Sequence, residues 1–134
     1  MDVNEQLMTL LLQGRCCAEA IVEAGLELRG EQNDALVRAA GGLCMGLGRG
    51  HACGALAAGA LLLSLFDPAR ARSDLVPALS DWFSDTYGTV NCRDIAGEHL
   101  EHKPERCFGV LVGVYEKCLE LLDEACLLDG RGRV

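Results

Sequence analysis

Residues 52–66, ACGALAAGALLLSLF, decide the fold: fifteen consecutive residues carry no charge. A membrane-spanning helix needs about 18–20 such residues, so the run is too short to cross a bilayer and is expected to form the buried central helix of a water-facing bundle. One residue ahead of it, the ten residues Gly41-Gly42-Leu43-Cys44-Met45-Gly46-Leu47-Gly48-Arg49-Gly50 hold five glycines. That density makes a regular element costly and predicts a loop with left-handed or closely packed backbone. Behind the run, Asp67-Pro68 ends the helix, because the residue before proline is pushed out of helical geometry.

Working outward, apolar residues recur at helical spacing on both sides. Residues 3–13 form a first helix stopped by Gly14. Residues 15–29 form a second, with Ala20, Ile21, Ala24 and Leu28 on one face, and residues 31–41 a third, with Leu36, Val37 and Ala40. After the central helix, Ser73 is positioned to cap a helix to about Tyr87 with an irregular first turn at Pro77 and an inward stripe of Leu75, Leu79, Trp82, Phe83 and Thr86. A short helix covers Cys92 to Ala96. Pro104 opens a long last helix to about Leu128, facing inward with Phe108, Leu111, Val112, Tyr115, Leu119 and Leu122. Residues 129–134 read as a frayed tail. No segment alternates as a strand does. The fold class is all-α: one multi-helix domain over residues 1–134.

Composition agrees. Half of the residues are apolar and only six are aromatic, so the core is built mainly from Leu, Val and Ala, which suits closely packed helices. The net charge of −8 argues against nucleic acid, whose backbone calls for a concentrated basic surface. No basic n-region precedes an apolar stretch at the start of the chain, so no secretory signal is read and a cytoplasmic location is expected. A homodimer is the default assembly, though no residues mark an interface.

Eight cysteines are the unusual feature. In a reducing compartment they point to redox or metal chemistry rather than to structural bridges. Cys17, Cys53, Cys92 and Cys107 each fall at the start of a helix with a basic neighbour close by: Arg15, Arg49 or His51, Arg93 and Arg106. Helix N-termini stabilise anions, so such thiols are expected to be acidified, with His51 and Arg49 lowering the pKa of Cys53 further. Cys118 and Cys126 share the stripe of Leu119 and Leu122 and read as buried filler, as does Cys16 by default. Cys44, in the glycine loop, could resolve a bond made by Cys53 or could simply pack.

Cys17-Ala18, Gly46-Leu47-Gly48-Arg49-Gly50 leading to Cys53-Gly54-Ala55, Asn91-Cys92-Arg93, and Cys107 ahead of the last helix resemble the C_GCAxxG_C_C family of redox-active proteins. The resemblance runs over residues 8–125. It implies a helical fold and assigns the family's four cysteines to Cys17, Cys53, Cys92 and Cys107. The pattern departs locally, with Ala52 and Gly54 flanking the second cysteine and Gly59, rather than Ala58, as the later glycine.

Three functions compete. The first is thiol–disulfide chemistry through the four cysteines, with Cys53 as the first choice of nucleophile and an unknown electron donor or acceptor as partner. No Cys-x-x-Cys occurs, so any pair forms between helices. The second is a Cys₄ site for an iron–sulfur cluster or zinc on the same residues, although their spacing matches no ferredoxin or zinc-ribbon signature. The third is a helical dimer or binding module whose cysteines only fill the core. His99 and His102 lie in a polar stretch where solvated histidines are ordinary. Gly46-x-Gly48 lacks the preceding strand of a dinucleotide fingerprint.

Overall fold

The computed structural model describes residues 2–96 and 104–128. Among these residues eight α-helices follow in order: α1 (Val3–Leu12), α2 (Cys17–Leu28), α3 (Asp34–Ala40), α4 (Gly54–Phe66), α5 (Pro68–Arg70), α6 (Val76–Tyr87), α7 (Cys92–Ala96) and α8 (Pro104–Glu124). Among the described residues there is no strand, only an isolated antiparallel bridge between Ala52 and Asn91. The all-α expectation holds. The tail at 129–134, His99, His102 and the side chain of Arg106 lie outside what is described.

The uncharged run is the centre of the bundle. α4 packs against α2, α8 and α6, burying Ala55, Ala58, Leu62 and Leu63. Two glycines set how closely its neighbours approach. A Cβ on Gly25 of α2 would lie 2.8 Å from Leu62 Cγ, and one on Gly59 would lie 2.8 Å from Val114 Cγ1 and 3.2 Å from Cys118 Sγ. Gly59, one position beyond the family's usual glycine, is therefore the contact point between α4 and α8. The Cys118 thiol, fully buried as expected, donates to the Gly59 carbonyl at 3.7 Å.

Helix ends follow the chain's own signals. α1 is closed by a capping box between Asp2 and Glu5. After α1 and α2, Gly14 and Gly30 take positive φ while the next residue bonds back five positions, Arg15 N–H to Leu10 O and Glu31 N–H to Leu26 O. α8 ends in the same way at Glu124, with Leu127 N–H on Leu122 O and Cys126 at φ 61° in the position a glycine usually takes. Cys126 is therefore exposed beyond the helix rather than buried on its stripe.

The helix expected from Ser73 starts earlier. Asp67, not Ser73, is the cap, its carboxylate accepting from Arg70 N–H at 3.1 Å. The chain stays helical through a widened π-turn, Ala71–Leu75, into α6. Pro77 explains the widening: it has no N–H for the Ser73 carbonyl and its ring would crowd that turn. Leu75, Leu79 and Phe83 are buried as expected, but Thr86 is exposed. Tyr87 completes the aromatic cluster instead, its ring 4.7 Å from Phe83 and 5.8 Å from Trp82.

Candidate functional site

The glycine-rich segment is a loop held in unusual backbone. Met45, Gly46, Leu47 and Gly48 all have positive φ, a left-handed turn that costs a non-glycine residue about 1–2 kcal/mol. Its closure is specific: His51 N–H donates to Gly46 O at 2.9 Å. A Cβ at Gly46 would stand 2.5 Å from His51 N and 2.8 Å from Cys92 Cβ, so the loop lies directly on Cys92.

The chain then delivers two cysteines side by side. Cys53 N–H donates to Val90 O at 2.7 Å and Cys92 N–H to His51 O at 2.6 Å, on either side of the Ala52–Asn91 bridge. Asn91 N–H donates to the Thr89 hydroxyl and that hydroxyl to Asp94, which fixes the entrance of α7. Arg93 of α7 donates to the Arg49 carbonyl at 3.0 Å, tying α7 to the loop. Cys53 caps α4 and Cys92 starts α7, both buried, at 8% and 9% exposure. Cys17 begins α2 and is half-buried; Cys107, in the first turn of α8, is exposed.

Each of these sulfurs lies within electrostatic reach of the others. Burial pushes the Cys17 thiol up to about 12, and negative charge on Cys53, Cys107 or Cys92 would push the same way. Burial also raises Cys53, offset in part by the Leu56 and Ala55 N–H groups and reinforced by Cys107. Cys92 is raised by burial, then by Cys53 and Cys107. The expected acidification is thus overturned for Cys17, Cys53 and Cys92: desolvation of the thiolate outweighs the helix-terminus donors. Arg49 and His51 do not enter the causes of the Cys53 shift. The Arg49 guanidinium turns back to the Gly48 carbonyl at 3.4 Å, and both side chains face solvent.

The profile of the family described as "Putative redox-active protein (C_GCAxxG_C_C)" matches residues 15–121. The chain belongs to this family. The C_GCAxxG_C_C match takes in all four helix-start cysteines and ends within α8. No curated protein and no solved structure matches the chain.

Cys16 and Cys44 correct the sequence reading. Rather than packing blandly, Cys16 is joined to Cys44 by a disulfide across a separation of 28 residues, with Cα atoms 6.4 Å apart. Cys44 therefore serves Cys16 and not Cys53. Sequence reasoning placed Cys16 by helix face, but it is the cap of α2 and lies off the helix surface. As for metals, among the described residues no three His, Cys, Asp or Glu side chains are grouped to hold an ion. No helix among them is long and apolar enough to cross a membrane.

Proposed function

We propose that the chain is a thiol-based two-electron redox protein whose working groups are Cys17, Cys53, Cys92 and Cys107, acting in the cytoplasm, where thiols are kept reduced. The supporting observation is that the starts of α4 and α7 are joined across the Ala52–Asn91 bridge, by Cys53 N–H to Val90 O and Cys92 N–H to His51 O, with Cys17 and Cys107 near enough to act on the ionisation of these thiols. Burial and mutual repulsion disfavour the thiolates, so the reduced form is not stabilised as it is in strongly oxidising dithiols. The couple should be an electron donor.

Cys107 is the sulfur open to an incoming disulfide, and the buried Cys53 and Cys92 suit the resolving role. Attack by the Cys107 thiolate on a partner disulfide forms a mixed disulfide and releases one partner thiol. A neighbouring protein thiol then displaces the second, leaving a protein disulfide and a fully reduced partner. Two electrons and two protons pass outward.

With 5,5′-dithiobis(2-nitrobenzoate) as the disulfide, and in a Cys126→Ser background because that thiol is exposed too, the Cys107→Ser change should remove about tenfold or more of the initial rate. The double variant Cys53→Ser/Cys92→Ser, which lacks both resolving candidates, should react first at the normal rate and then retain the mixed disulfide. An unchanged initial rate in Cys107→Ser contradicts the assignment. Stoichiometric iron or zinc in anaerobically purified protein, lost with these cysteines, would replace the thiol reading by the ligand reading.

A further inference from the structure

The Cys16–Cys44 disulfide is asymmetric in its surroundings. Both residues are half-buried. The Cys44 sulfur accepts the Ala18 N–H at 3.4 Å, a first-turn donor of α2 with no partner within the helix that also acts on the Cys17 thiol. On the Cys16 side the Glu19 carboxylate accepts the Cys16 N–H at 2.9 Å. Both sulfurs meet first-turn N–H groups, Cys16 that of Glu19 and Cys44 that of Ala18, and the Glu19 carboxylate beside Cys16 tips negative charge toward Cys44. The backbone of Cys44 is also fixed from behind, since a Cβ on Gly54 would lie 3.2 Å from Cys44 Cα and 2.7 Å from Leu43 O.

We propose that Cys16–Cys44 is a second redox couple of this chain, opened by a dithiol reductant that attacks Cys16 Sγ and expels Cys44 as the thiolate. In the first step the reductant's thiolate bonds to Cys16, the Cys16–Cys44 bond breaks, and its electron pair leaves on Cys44, held by the Ala18 N–H until a proton arrives. In the second, the reductant's other thiol displaces Cys16 and closes its own disulfide. Two protein thiols form as one dithiol is oxidised. A leaving thiol of lower pKa departs faster, which fixes the direction. The sulfurs concerned are not the four of the preceding section, so the couple stands independently of that reading.

The test uses the full-length chain with the Cys16–Cys44 bond formed, in native buffer, and assigns each adduct to its own peptide so that the other sulfurs cannot supply the result. It is treated briefly with excess 2-mercaptoethanol, quenched in acid and mapped by peptide mass spectrometry. The adduct is expected on Cys16, with Cys44 as the thiol, in about tenfold excess over the reverse. Glu19→Gln, which keeps the cap and removes the charge, should narrow that ratio severalfold. Titration with dithiothreitol should then free Cys16 and Cys44 together. Adducts shared equally, adducts chiefly on Cys44, or a bond that opens only after denaturant is added would each overturn the proposal.

Discussion

Replacing Gly46 with alanine is expected to cost about 2–5 kcal/mol of folding stability, the sum of a left-handed backbone penalty and an overpacking penalty. The neighbour it meets decides the size. At φ 59° the new Cβ would stand 2.5 Å and 2.6 Å from the backbone N and O of His51. Neither atom can retreat, because the His51 N–H is bonded to Gly46 O and the His51 carbonyl holds the Cys92 amide. Gly48 is the control. It too is left-handed, at φ 72°, but nothing lies within 4 Å of a Cβ there, so Gly48→Ala should cost only about 1 kcal/mol. Urea unfolding of both variants separates the contributions. Equal losses would mean that the loop is not pressed against His51 and Cys92. A larger loss at Gly46, with faster alkylation of Cys92 in the folded variant, is the expected outcome.

The second large effect is on Cys17. Its pKa rises from 9.0 to about 12, chiefly through burial, which lowers the thiolate fraction near pH 8 about a thousandfold. A more basic thiolate is also a better nucleophile, with a Brønsted slope of about 0.4–0.5, so the net rate should fall about thirty- to sixtyfold. Alkylation by iodoacetamide, followed on the Cys17 peptide in folded and denatured protein, measures this. In the folded chain the rate should climb tenfold per pH unit through pH 10 without levelling. An ordinary thiol levels near 9. A plateau at or below pH 9 would show that the α2 terminus wins over burial, and with it the acidified thiol that helix position alone suggests.

That conflict marks the boundary of what the sequence conveys. Helix existence was legible because the stops are chemical: Gly14, Gly30 and Gly88 supply positive φ, and Asp67-Pro68 both ends α4 and starts α5. The buried role of residues 52–66 was legible from their lack of charge. Cys126 was misplaced because a cysteine occupies a turn position that glycine usually announces. The true cap at Asp67 was missed because the π-turn that absorbs Pro77 is a response to packing, not a local signal. At the site, helix position selected Cys17, Cys53, Cys92 and Cys107, the same residues the family pattern selects, but it carried no measure of burial, and burial sets the direction of the shifts. The Cys16–Cys44 pair depends on the glycine loop folding back over the start of α2, a long-range placement that no spacing between the two residues reveals.

Convergence of the four thiols is most directly tested by forming bonds between them. The reduced protein is treated anaerobically with three equivalents of diamide, one for each disulfide expected, blocked in acid, and its disulfides are mapped. Bonds drawn from Cys17, Cys53, Cys92 and Cys107 are expected, beside the Cys16–Cys44 pair, with Cys118 left as a thiol inside the core. Should oxidation yield only intermolecular bonds through exposed Cys107 and Cys126, with Cys17, Cys53 and Cys92 still alkylable as thiols after unfolding, the four sulfurs do not share a site.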